Sequence, residues 1–196
     1  MPQKKIILAS GSLQRKKILS ALDIAFDVVV ADIDERAIRD PDLKVQAEKI
    51  ARAKAEHVAH EHDAIVIAAD TYATVDGVAL EKPKDANEAK EMLRLLSGNA
   101  GITYTGFCYI DRAHAIDFST TTETRFTFRT MDEQEIDAYV ERLPVTIWSS
   151  AFSPAHPYGM TLFASVDGSL TGNAGLPMEV LIPLLQQSSV VIAPRA

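Results

Sequence analysis

Short apolar runs alternate with longer amphipathic stretches along the first half of the chain, which is the pattern of strands separated by helices. Residues 6–9 read as a buried strand, 12–22 as a helix and 26–30 as a second strand, so the chain opens β-α-β and an α/β fold is expected. A helical period runs from 43 to 60. The wholly apolar run 64–69 predicts a central strand that ends at Asp70. Residues 71–75 and 78–81 flank Asp76-Gly77, a pair favoured in two-residue hairpin turns because both central positions need positive φ. A helix is expected over 87–96, closed by Ser97-Gly98, and then two long antiparallel strands over 102–111 and 115–128, rich in β-branched and aromatic residues. A helix over 132–142 capped by Asp132 follows. The last third predicts a strand near 160–165, a Gly/Asn-rich loop and a helix opening at Pro177. Helix-rich sequence gives way to strand-rich sequence near residue 100, which suits two lobes on one long mixed sheet with a cleft between them.

Composition narrows the class. With 47% hydrophobic and 24% charged residues and only 9 Gly and 9 Pro in 196, the chain is an ordinary globule, and a single domain over 1–196 is expected. Its apolar runs fall far short of the roughly 18–20 residues that cross a bilayer. The basic start at residues 1–5 precedes too short an apolar run for a secretory signal, so a cytoplasmic location is expected. Cys108, the sole cysteine, reads as a packed, reduced thiol. Twenty basic against 27 acidic residues leave a formal charge of −7, which repels polyphosphate backbones, so nucleic acid is not an expected partner, and with such short apolar runs neither is a membrane.

Candidate chemistry begins where charges interrupt apolar stripes. Arg15 precedes Ile18, Leu19 and Leu22 at offsets that share one helix face. Just before it, Ser10-Gly11-Ser12 joins a strand to a helix start, where free N–H groups favour an anion. The segment is a phosphate cradle or, alternatively, a plain N-cap with Arg15 reaching to water. Lys54 likewise shares a face with Ala47, Ile50, Ala51 and Val58. An ammonium there must reach water, pair with a carboxylate or bind an anion. Asp70, at the end of the apolar run, is a candidate for metal binding or proton abstraction, with a turn or cap aspartate as the other reading. Asp32-Ile33-Asp34-Glu35 and Lys82 add charges on separate segments. Carboxylates and cations on several loops are what a magnesium-dependent enzyme acting on a triphosphate requires. The histidines lack zinc spacing, and Ser149, Ser150 and Ser153 form no nucleophile elbow.

The opening Leu8-Ala9-Ser10-Gly11-Ser12-Leu13-Gln14-Arg15-Lys16-Lys17-Ile18-Leu19 resembles the start of the Maf family of nucleoside triphosphate pyrophosphatases, L-A-S-x-S-P-R-R-x-x-L-L. The resemblance continues through Asp32–Glu35, Ala53-Lys54-Ala55, Ala69-Asp70-Thr71, Glu81-Lys82-Pro83, Tyr104-Thr105-Gly106 and Gly175-Leu176-Pro177. It implies a fold similar to that of inosine triphosphate pyrophosphatases and hydrolysis between the α- and β-phosphates of a modified or non-standard nucleoside triphosphate. A divalent cation, Mg or Mn, is implied as cofactor. Ser10, Ser12, Arg15 and Thr71 would then hold the substrate, Glu35 and Asp70 would organise metal and water, and Lys54 and Lys82 would stabilise transition-state charge. A homodimer is left open.

The chain also departs from the family. Leu13 and Gln14 stand where the family has proline and its first arginine, and residues 148–158 replace a Gly-rich stretch that normally supplies a lysine and a glutamine or glutamate. His156 falls near the last of these and is a candidate substrate contact or, alternatively, a surface residue. Gly159-Met160-Thr161-Leu162-Phe163 resembles the branch associated with 7-methyl-GTP, and a substrate of that type is expected. The alternatives are a dTTP/UTP-type pyrophosphatase and a catalytically impaired nucleotide-binding protein that acts through partners.

Overall fold

The structure, a computed structural model, describes residues 4–192. The expected β-α-β opening is present as β1 (Ile6–Leu8), α1 (Leu13–Ser20) and β2 (Asp27–Val28), with the two strands parallel. Ser12 caps α1 by accepting from the Arg15 N–H, and the chain leaves the helix through Asp23 at φ 54°. The long amphipathic stretch forms α2 (Leu43–Glu61), capped by Asp42. β3 (Ile65–Val75) follows.

Asp70 does not end β3, contrary to expectation. The strand runs on to Val75 because its backbone keeps pairing with β5 (Ala100–Asp111), Asp70 opposite Gly106, while the carboxylate turns toward α2 and a cation there. The Asp76-Gly77 hairpin forms as expected, with φ of 50° and 77°, and returns the chain as β4 (Val78–Leu80). After α3 (Ala86–Leu96), β5 and β6 (Ile116–Phe128) pair antiparallel along their whole length. α4 (Glu133–Arg142) is capped by Asp132. The strand expected at 160–165 starts later, because α5 (Pro157–Met160) forms first; β7 is Phe163–Gly168. The expected loop before Pro177 contains a one-turn helix, α6 (Leu170–Asn173), ahead of α7 (Met178–Gln187).

The seven strands form one mixed sheet in the order β2-β1-β3-β5-β6-β7, with β4 on the far end of β3. Strand alternation sends Ile65, Ile67 and Ala69 to one face, where Leu19 of α1 and Leu181 and Leu185 of α7 cover them. Val66, Ala68 and Cys108 face Ala51, Ala55 and Val58 of α2. Cys108 is fully buried, and burial pushes its thiol up to about 12. A separate apolar unit at the other end joins Leu93, Ile136, Phe126, Phe128 and Phe152. These units are the two lobes.

Between the lobes the sheet has a gap. β1 pairs with β3 only at Ile65–Ile67 and β4 only at Ala73–Val75, so among the described residues no strand covers that edge of β3 from 68 to 72. Side chains from both faces of β3 therefore reach one opening.

Candidate active site

That opening is a cleft of about 1000 Å³, and it brings together Ser10, Ser12, Arg15, Glu35, Lys54, Asp70, Thr71 and Lys82. The α2 face supplies its ionic centre. Gly106, opposite Asp70, lets the α2 backbone lie against β5, since a Cβ at that position would stand 2.1 Å from the Ala47 carbonyl oxygen. Two turns further along α2, Lys54 is buried, and its ammonium donates to Asp70 Oδ1 at 2.8 Å while pairing with Glu35 Oε2 at 2.8 Å. Of the three fates open to a lysine in an apolar stripe, pairing with carboxylates is the one realised. Asp70 Oδ2 has no hydrogen-bond partner among the described residues. Glu35 opens a short 3-10 turn at Glu35–Ala37 that Asp34 caps, and its side chain is half-exposed, so it can follow a ligand.

The other face supplies a frame of neutral hydroxyls around one cation. Arg15 donates from Nε to the Gly175 carbonyl at 2.9 Å, from Nη1 to Ser10 Oγ at 2.9 Å and from Nη2 to Thr71 Oγ1 at 3.0 Å. Thr71 also accepts from Thr105 Oγ1, which contacts the Gly172 carbonyl. Burial lowers the Arg15 pKa from its ordinary value, and the nearby Asp70 and Glu35 carboxylates oppose that shift. Arg15 is thus a strut between the α1 start, β3 and the segment after α6. Ser10 receives the Ser12 N–H as well, which shapes the turn at the α1 start. Lys82, between β4 and α3, is exposed, lines the cleft and makes no ion pair among the described residues, so its charge is available to an anion.

His156 is placed elsewhere. It caps α5, where Nδ1 accepts from the Tyr158 N–H at 3.2 Å, and its ring centroid lies 5.5 Å from that of Trp148. Trp148 lines the cleft and His156 does not. Gly159 packs against the Ser153 carbonyl and Leu162 is in the core, so the segment that resembles the 7-methyl-GTP branch supports the wall and offers no side chain to the cleft.

Tyr72, Asn173, Arg36 and Arg39 also line the cleft, although the sequence pattern does not single them out. Tyr72 shares the Asp70 face and accepts from Gln46 Nε2 at 3.0 Å; burial, and then the Asp70 charge, raise its pKa. Asn173 is buried, with Oδ1 accepting from Thr103 at 2.7 Å. Arg36 and Arg39 are exposed on the lip beside Glu35. For Tyr72 the signal existed, since it lies two residues after Asp70 on a strand. For Asn173 it did not, because only the tertiary fold sets it against Thr103.

An α/β sheet parted at one edge, with two carboxylates and several cations converging on the gap, defines an enzyme built to handle an anionic substrate. The comparisons give that class its family. The sequence matches the family described as Maf-like protein over residues 5–188, and the chain belongs to it. It is 37% identical over 191 residues to a dTTP/UTP pyrophosphatase of Bacillus cytotoxicus, covering 94% of this chain and 95% of that protein. With a 7-methyl-GTP pyrophosphatase of Cupriavidus pinatubonensis it shares 32% over 190 residues, covering 95% and 94%. The Ham1 protein of Staphylococcus aureus has the same fold at a TM-score of 0.54 and 14% identity, covering 94% of this chain and all of that one.

Proposed function

We propose that this chain hydrolyses a nucleoside triphosphate to the monophosphate and pyrophosphate, with Asp70 as the proton acceptor and a divalent cation as cofactor. The observation that carries the reading is the Lys54 ammonium held between Asp70 and Glu35 on the floor of a cleft whose opposite wall is the Arg15 frame. As a Maf-like protein with pyrophosphatase relatives, the chain is a hydrolase acting on acid anhydrides.

The residues fit a divalent cation that arrives with substrate. Asp70 and Glu35 each place an oxygen 2.8 Å from one cationic atom, so two carboxylates already converge on a point of positive charge. Two carboxylates completed by substrate phosphates are the donor set that magnesium usually takes. When bound, the ion supplies neutralisation of charge on the phosphate oxygens. Asp70 Oδ2 accepts a proton from the attacking water as its oxygen bonds to phosphorus and the α–β bridging bond breaks. Lys54 and Lys82 offset the charge that develops on the phosphates, and the N–H groups at the α1 start, kept in place by Ser10 and Arg15, receive the remaining oxygens.

The test is pyrophosphate release from a panel of dTTP, UTP, 7-methyl-GTP and the common triphosphates, with magnesium, manganese or chelator. Metal-dependent monophosphate and pyrophosphate in equal amounts is expected. Tight nucleotide binding without turnover would replace this reading with that of a binding protein.

A further inference from the structure

The floor of the cleft is ionic, while its mouth, charged at Arg36 and Arg39, also carries a set of exposed apolar side chains. Leu13, Val30 and Ile147 line it with 61%, 65% and 51% of their surfaces exposed. Leu13 and Val30 belong to one lip: Leu13 follows Ser12, the cap of α1, and a Val30 methyl lies 3.4 Å from where a Gly11 Cβ would be. Ile147 belongs to the other lip, with Trp148, in a segment tied to the end of β4, where the Ser150 N–H donates to the Glu81 carbonyl and Ser150 Oγ to the Leu80 carbonyl. Such side chains gain nothing from solvent, and three of them around one opening offer apolar contact to a ligand seated there.

The charges beneath decide what that is. A ligand whose anionic end reaches Lys54, Lys82 and the α1 start must leave through this mouth, and the flat, weakly polar part of a nucleoside triphosphate is its base. Leu13 is one residue from the Ser12 cap, within reach of the same small molecule. Both lips also adjoin departures from the pattern of the family: Leu13-Gln14 stands in place of proline and arginine, and the divergent stretch 148–158 begins at Trp148, next to Ile147.

We infer that Leu13 and Val30 on one lip and Ile147 on the other close over the faces of the substrate base, so that the nucleoside is gripped by apolar contact at the mouth while the floor holds the phosphates. This rests on the triphosphate reading of the floor. Calorimetric titration separates the two regions when two probes are used: a dUTP analogue with an imido bridge between the α- and β-phosphates, and inorganic tripolyphosphate, which has no base. Leu13→Ser and Ile147→Ser replace exposed side chains, and thermal melting checks that both variants keep the wild-type fold. Each substitution is expected to weaken the nucleotide about 10-fold, the scale of losing one or two methylene contacts, with tripolyphosphate affinity within about twofold of wild type. Unchanged nucleotide affinity, or equal weakening of both probes, would overturn the inference. Failure of wild type to bind tripolyphosphate would instead bring down the reading of the floor.

Discussion

Two ionic clusters flank the central strands, and they use the same side chains in opposite ways. In the cleft the hub is a cation: Lys54 holds Asp70 and Glu35, Asp70 Oδ2 is unengaged among the described residues, and Glu35 is half-exposed. At the far end of β5 the hub is a carboxylate: Asp111, fully buried, receives Lys4 and the Ala113 N–H on Oδ1 and His114 Nδ1 at 2.6 Å on Oδ2. Burial pushes the Asp111 pKa up, but hydrogen bonds from Lys4, Ser188 and His114 outweigh it and hold the group at about 2. Saturation is the difference. A buried charge whose sites are all filled stabilises the fold and has nothing left for a ligand, whereas a hub with an open oxygen and a movable partner can exchange its contacts for those of a substrate.

One substitution made at both carboxylates tests this most sharply. Asp70→Asn removes the proton acceptor and an anionic ligand while nearly preserving shape, and Glu35 still pairs with Lys54. Turnover should fall about 10²–10⁴-fold, the range of general-base catalysis, with melting temperature close to wild type. Full activity in a folded Asp70→Asn protein would remove the distinction between the clusters.

The open cluster also depends on how closely α2 approaches the sheet, and Gly106→Ala attacks that approach. The new methyl would meet the Ala47 carbonyl oxygen, the Ala47 carbonyl carbon and the Glu48 nitrogen, all backbone atoms, so α2 must shift. Overpacking of this kind costs about 3 kcal/mol. Urea unfolding should show that loss, together with reduced kcat, since Lys54 travels with the helix. Wild-type stability would mean that α2 is not fixed by this contact.

Much of this was legible in the chain, for identifiable reasons. Lys54 and Asp70 stood out because a charge in an apolar stripe or run violates the local pattern, and the Asp76-Gly77 turn because few residue pairs accept its two positive φ angles. The continuation of β3 through Asp70 was hidden, since only β5 on one side and Lys54 on a face make it favourable. Arg15 was legible as a cation but not as a strut, because its Nε partner, Gly175, is 160 residues away. His156 could not be placed from sequence. Its family-like position lies in a stretch where two consecutive non-glycine residues, Ser150 and Ala151, take φ of 62°, a path that spacing does not forecast.

The saturated cluster supplies the smallest effect and the complementary half of the comparison. Asp111 lies outside the cleft, so Asp111→Asn should leave kcat and KM unchanged. Its cost is to stability, and the sign follows from the depressed pKa: folded Asp111 titrates near 2, against an ordinary 3.8. The folded state therefore gains from the ionised carboxylate at any pH above about 4, and that gain fades as pH falls from about 4 toward 2. Integrated over the window it amounts to roughly 2 kcal/mol. Denaturant unfolding of both proteins between pH 6 and pH 2 should show wild type more stable by about that amount at pH 6, with the two curves converging in acid. Other carboxylates titrate in both proteins and cancel in the difference. A gap that stays constant with pH would show that Asp111 acts by shape rather than by charge, and the contrast between a filled and an open ionic hub would then rest on Asp70 alone.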